Sequence, residues 1–190
     1  MDPTERYTRL LLAARKEYGL SIERKENHWY WRFLGKLMTI ITFGRVDFMN
    51  DFFTTIGNRI GVAPSWDMLS AGERYEVLLH EVEHMKQYKR AGLGNIWVGL
   101  GIAGFAYLFL PFPIGLAWCR AKMEMGGYAQ SIRAYIQLYG VPAALLEKQR
   151  IVNQFTSVNY LFMWPFRGYM ERWYDETVKR IAKEEGETVP

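Results

Sequence analysis

The stretch SAGERYEVLLHEVEHMKQYKRAG, residues 70–92, predicts a long helix near the centre of the chain. Ser70 and Glu73 have the spacing of a capping box, in which each side chain satisfies a free backbone donor of the other residue. Gly92 is a residue type at which helices commonly end. The pattern therefore predicts a helix over residues 71–91.

Two of the chain's three histidines, His80 and His84, lie in the middle of this predicted helix. Residues at positions i and i+4 share one helix face, so two imidazoles placed there can ligate one zinc ion from the same side. Glu81 lies beside them and can accept a proton from a zinc-activated water. H-E-x-x-H on a helix is typical of zinc metallopeptidases. We interpret the third histidine, His28, as a structural or surface residue.

The same five residues, HEVEH, also satisfy the inverted pattern H-x-x-E-H, in which Glu83 would be the general base. The apolar pair Leu78-Leu79 before His80 matches the ordinary form of the motif, which favours Glu81. Glu83 is then expected to face solvent or a nearby basic side chain.

A catalytic zinc ion needs a third protein ligand. The extended metzincin motif would place glycine at position 87 and histidine at position 90, where this chain has Gln87 and Arg90. The first acidic residue after His84 is Glu124, in a predicted helix, and we expect it to be the third ligand. The fallback ligands are Glu147, Glu171 and Asp175.

With His80, Glu81, His84 and Glu124, the chain resembles the gluzincins, zinc metallopeptidases with HExxH on one helix and a glutamate ligand on a later one. The resemblance extends over residues 51–135. It implies a zinc-dependent metalloendopeptidase whose peptide or protein substrate lies antiparallel to an edge strand, here from the hairpin at 51–62. The apolar segment between the motif and the glutamate is similar to that of membrane-embedded members.

Peptide hydrolysis by this route also needs a group that stabilises the developing oxyanion. Tyr128 lies one turn after Glu124 and is the first candidate, and Tyr160 is the second. For each, the alternative interpretation is a core tyrosine whose hydroxyl is satisfied elsewhere.

The remaining pattern predicts a single, helix-dominated α+β domain over residues 1–190 with a small antiparallel sheet before the HExxH helix, and the resemblance implies that this domain is zincin-like. Runs of β-branched and aromatic residues are typical of strands, and Gly57-Asn58 is typical of a hairpin turn. The predicted strands are 38–43, 52–56 and 59–62, and the other predicted helices are 4–18, 120–139, 142–155 and 168–185.

Composition restricts the partners and the compartment. The net charge is +4, and the basic residues are mixed with acidic ones, so we expect no nucleic-acid partner. Cys119 is the only cysteine, which excludes an intrachain disulfide and favours the reducing cytoplasm. The N-terminal residues are charged and lack the apolar region of a secretory signal.

Residues 96–118 form an uncharged apolar segment that has two interpretations. One is a buried helical hairpin bent at Pro111 and Pro113, or a contact with a membrane surface; the other is insertion into a bilayer. The segment also motivates the alternative to a zinc peptidase, namely a structural or membrane-associated protein with a non-catalytic metal site. A third interpretation is a virion or mobile-element protein that processes a partner.

Overall fold

The computed structural model describes residues 1–41, 44, 47–109, 117–157 and 163–189. The elements are α1 (Pro3–Tyr18), β1 (Ser21–Arg24), α2 (Trp29–Ile41), β2 (Thr54–Ile56), β3 (Arg59–Val62), α3 (Ala71–Ala91), α4 (Ile96–Phe109), α5 (Trp118–Tyr139), α6 (Val141–Leu146), α7 (Lys148–Thr156) and α8 (Arg167–Glu185). This order confirms a helix-dominated α+β fold. Contacts divide the chain into two compact units, Met1–Leu100 and Gly101–Pro190.

In the first unit, α1 packs along α3, and the three strands form one sheet in the order β1-β3-β2. Strand β2 lies at an edge of this sheet and contacts α3. Apolar side chains from α1, β3 and α3 meet in one core, so burial of these faces fixes α3 against the sheet. The core residues are Ala14, Leu20, Ile60, Val62, Trp66, Leu78, Val82 and Met85.

Helix α3 begins and ends where the sequence predicts. The Ser70 hydroxyl accepts a hydrogen bond from the Glu73 backbone at 3.3 Å, and the Glu73 carboxylate accepts one from the Ser70 backbone at 2.7 Å. At the C-terminal end of α3, helix α4 approaches the backbone of α3 very closely. A Cβ atom at Gly99 would lie 1.6 Å from the carbonyl oxygen of Tyr88, so only glycine permits this approach.

The predicted hairpin is also present. Ile56 pairs with Arg59, which leaves Gly57-Asn58 as a two-residue turn. Gly57 has φ +61°, a conformation that a side chain would strain. The sheet is nevertheless mixed and not wholly antiparallel, because β1 pairs parallel with β3. The sequence gives little sign of β1, which has only one apolar residue in four.

The strand predicted at 38–43 is wrong over 38–41, which belong to α2, and residues 42 and 43 lie outside the described residues. Trp31 and Gly35 are buried one turn apart, so the burial period is that of a helix. The ring of Trp31 fills the space above Gly61, where a Cβ atom would come within 2.7 Å of it. This packing outweighs the β-propensity of the last α2 residues.

The second unit consists of helices around a separate core. The helices predicted at 120–139 and 168–185 are confirmed as α5 and α8, while the one predicted at 142–155 is divided into α6 and α7. Among its fully buried residues are Ile132, Ile151, Phe155, Met170, Tyr174 and Ile181.

Part of the apolar segment 96–118 forms α4. Residues 110–116, which include the predicted bend at Pro111 and Pro113, lie outside the described residues. None of the helices in the described part of the chain combines the length and the hydropathy needed to cross a bilayer.

Candidate metal centre

His80 and His84 lie on one face of α3, and their ring centroids are 5.0 Å apart. His84 is 7% exposed and His80 is partly exposed. The capping box and the apolar residues at Leu78 and Val82 hold this part of α3 in the core, so the backbone beneath both imidazoles is fixed.

Gln87 orients the imidazole of His84. The Nδ1 atom of His84 lies 3.0 Å from Oε1 of Gln87. An amide oxygen can only accept, so Nδ1 donates, and in a neutral imidazole with this tautomer Nε2 carries the lone pair. A hydrogen bond to the second ring nitrogen is the usual way in which proteins set the tautomer of a metal-binding histidine.

Glu124 is buried on α5 at 7% exposure. One ligand atom from each of His80, His84 and Glu124 lies within 4.8 Å of the other two, and this group could hold a metal ion. Ligand atoms bound tetrahedrally at about 2.0–2.1 Å from zinc would be about 3.4 Å apart, a separation that lies within this 4.8 Å limit.

The carboxylate of Glu81 accepts a hydrogen bond from the sheet. The hydroxyl of Thr55 on β2 donates to Oε2 of Glu81 at 2.7 Å, and both side chains are buried. The hydroxyl of Tyr88, on the same helix as Glu81, donates to the carbonyl oxygen of Thr55 at 3.3 Å. Thr55 is therefore connected to α3 through its side chain and its backbone.

Glu83 has different surroundings. It lies 3.4 Å from Nζ of Lys86 and 3.9 Å from the guanidinium of Arg90. Burial and a hydrogen bond to Glu17 raise the pKa of Tyr18, at the end of α1, and the negative charge of Glu83 adds to this shift. Glu83 thus faces basic side chains and α1, which agrees with the expectation that it points towards a nearby base.

A buried lysine, Lys25, lies close enough to Glu81 for their charges to interact. Lys25 has no exposed surface, and its ammonium donates to the carbonyl oxygens of Phe48 and Phe52 at 2.7 and 2.8 Å. Burial lowers the pKa of Lys25 to about 8, and the negative charge of Glu81 partly opposes this shift. A positive charge in the same unit therefore acts on the Glu81 carboxylate.

Two other residues that the sequence singled out, Tyr128 and His28, lie in a core and near the surface, respectively. Tyr128 is buried in the core of the second unit, with its ring 5.4 Å from that of Phe155. Tyr160 lies outside the described residues. His28 is 40% exposed and lies 4.0 Å from Glu23, as a surface residue would.

The fallback ligands form ion pairs with basic side chains. Glu147 pairs with Arg150, Glu171 with Arg167 at 2.9 Å, and Asp175 with Lys148 at 2.7 Å.

Sequence reasoning missed Thr55, Gln87 and Lys25. Gln87 could have been found, because it lies one turn from His84 on the same helix. Thr55 and Lys25 are far from the motif along the chain, and no spacing rule connects them with it.

No protein-family model matches the chain, and no curated protein or solved structure matches it either. The interpretation of the site therefore depends on its own residues and geometry.

Proposed function

We propose that this protein is a zinc-dependent metalloendopeptidase that hydrolyses peptide bonds with Glu81 as the general base. One observation carries the proposal, namely the grouping of His80, His84 and Glu124, with Glu81 next to His80 in the chain. Two imidazoles and a carboxylate are the protein ligands of one well-known class of catalytic zinc site.

The donor set fits zinc in chemistry and in number. Zinc prefers nitrogen and carboxylate ligands in tetrahedral sites, and catalytic sites supply three protein donors where structural sites supply four. When bound, zinc would act as a Lewis acid and lower the pKa of a coordinated water to about 7.

Glu81 would take the proton from the attacking water and return it to the leaving amine. The Thr55 hydroxyl engages Oε2, so the carboxylate has one preferred orientation. Glu83 is a weaker candidate because its carboxylate is paired with Lys86 and Arg90, at 3.4 and 3.9 Å.

The edge of the sheet offers a place where an extended peptide substrate could pair. Strand β2 is an edge strand in contact with α3, whereas β3 is the central strand, so only β2 of the hairpin can receive a further strand. We propose that the substrate backbone pairs along β2. Oxyanion stabilisation would come from Tyr128 or from Tyr160.

Metal analysis tests the site itself. Elemental analysis of purified wild type should give about one zinc per chain, and His84→Ala and Glu124→Gln should lose it. Glu171→Gln is the matched control, because this glutamate is ion-paired with Arg167, and it should retain zinc. A wild type that binds no zinc when zinc is supplied would contradict the proposal.

Hydrolysis tests the chemistry separately. Wild type should cleave members of a peptide library, and Glu81→Gln should retain zinc but lose cleavage by about 10²–10⁴-fold, as expected when a general base is removed. Equal cleavage by Glu81→Gln would show that Glu81 is not the base. A zinc-loaded wild type that cleaves no peptide would instead support the alternative function, a metal site without catalysis.

A further inference from the structure

One face of helix α2 packs against the rest of the first unit. Trp31 is fully buried over Gly61 of the sheet, and its indole nitrogen donates to Glu23 at 3.2 Å. One turn later Gly35 lies against the side chains of Met49 and Phe48. These contacts determine which face of α2 points away from the protein.

The outward face of α2 is apolar. Its large apolar side chains lie at spacings of four, four and three residues, which forms a single stripe along the helix. The exposed fractions are 72% for Trp29, 64% for Phe33, 41% for Leu37 and 72% for Ile40. An exposed stripe of this length is a mark of an interaction surface.

Basic residues border this stripe on one side. Arg32 and Lys36 are both exposed and lie one turn apart, and α2 contains no acidic residue. We propose that α2 docks this protein on the surface of a bilayer that contains anionic lipid. The apolar stripe would enter the headgroup boundary while Arg32 and Lys36 contact the lipid phosphates, which is the pattern of an interfacial amphipathic helix.

The charge pattern favours lipid over a second copy of the chain. In a symmetric pair formed through α2, the same surface meets itself, so Arg32 and Lys36 would approach the like charges of the other copy. An anionic surface satisfies both cations, and the chain's net charge of +4 acts in the same direction. This surface is separate in sequence from the segment 96–118 and does not depend on the proposed peptidase activity.

Vesicle sedimentation of the full chain tests the proposal. Wild type should bind vesicles of phosphatidylcholine with phosphatidylserine, and bind more weakly to phosphatidylcholine alone. Phe33→Glu and Ile40→Glu should each weaken binding by about ten-fold or more. Arg32→Gln and Lys36→Gln should each weaken binding to the mixed vesicles by about five-fold. Leu12→Glu changes an apolar residue on α1 whose exposure, 59%, is close to that of Phe33, and it is expected to bind as wild type does.

A second measurement needs no destabilising change. Brominated phospholipid should quench the fluorescence of wild type more than that of Trp29→Phe, because Trp29 would lie at the headgroup boundary.

Three results would overturn the proposal: no vesicle binding by wild type, equal binding by Phe33→Glu, or loss of binding in Phe105→Glu but not in Phe33→Glu. A wild-type dimer that Phe33→Glu dissociates, without vesicle binding, would identify a second copy as the occupant.

Discussion

Thr55 and Glu81 are joined by a buried hydrogen bond of 2.7 Å, although 25 residues separate them in the chain. The bond connects an edge strand to the helix of the two histidines at the carboxylate that we propose as the general base. A hydrogen bond to a charged partner is stronger than a neutral one, and a buried one restricts the orientation of the group that accepts it. Thr55 is therefore a positioning residue for Glu81.

Replacing Thr55 by valine should lower kcat for peptide cleavage by about ten-fold, since a buried bond to a charged group contributes about 1.5–3 kcal/mol. KM and zinc content should remain unchanged, because Thr55 is not a metal ligand. Thr55→Ser keeps the hydroxyl and should recover most of the activity. Steady-state kinetics on both variants tests this, and a wild-type kcat in Thr55→Val would show that the hydrogen bond does not matter.

Replacing Gln87 by leucine should weaken zinc binding by about 10–100-fold, the usual effect of removing the partner of a metal-binding imidazole. The change removes the acceptor for Nδ1 of His84 while nearly keeping side-chain volume. Competition with a chromogenic chelator measures the affinity. Gln87→Glu retains an acceptor and serves as the control, and a leucine variant with wild-type affinity would contradict the role of Gln87.

The elements that the sequence predicts correctly are those with local physical signals. The capping box at Ser70 and the turn at Gly57 each depend on interactions between residues a few positions apart, and both are present as expected. The spacing of His80 and His84 is of the same kind. Local chemistry determines these features, so one chain is enough to predict them.

The features that were missed depend on contacts between distant residues. Residues 38–41 are β-branched in part and were predicted as strand, but the burial of Trp31 over Gly61 makes the segment part of a helix. Strand β1 exists because β3 offers it a parallel partner. The grouping of Glu124 with the histidines was expected from order in the chain, whereas nothing local indicates Thr55.

Replacing Glu83 by glutamine should leave peptide cleavage within about two-fold of wild type, because its buried carboxylate pairs with basic side chains that are themselves partly or largely exposed, Lys86 and Arg90, and such pairs contribute little. Glu81→Gln is the matched variant, since the two positions differ by only two residues on the same helix. Parallel assays with equal zinc loading measure the contrast. Loss of cleavage in Glu83→Gln and not in Glu81→Gln would assign the base to Glu83.

The stability of the fold should depend on pH through Lys25, whose pKa burial lowers from 10.5 to about 8. Between these two values the unfolded chain binds more protons at this position than the folded chain does. Because of this residue, the free energy of unfolding therefore increases by on the order of 3 kcal/mol as pH rises from about 8 to about 10.5. Glu81, Asp47 and Asp51 are the acidic groups that favour its charged form and limit the shift.

Urea unfolding of wild type and Lys25→Met across this pH range isolates the effect. The variant loses the hydrogen bonds to Phe48 and Phe52, but that cost does not depend on pH. Tyrosines whose pKa is raised by burial, such as Tyr30, destabilise the fold in alkali equally in both proteins, so they cancel in the difference. Wild type should gain stability relative to Lys25→Met as pH rises, and parallel pH profiles would mean that Lys25 has an ordinary pKa in the folded protein.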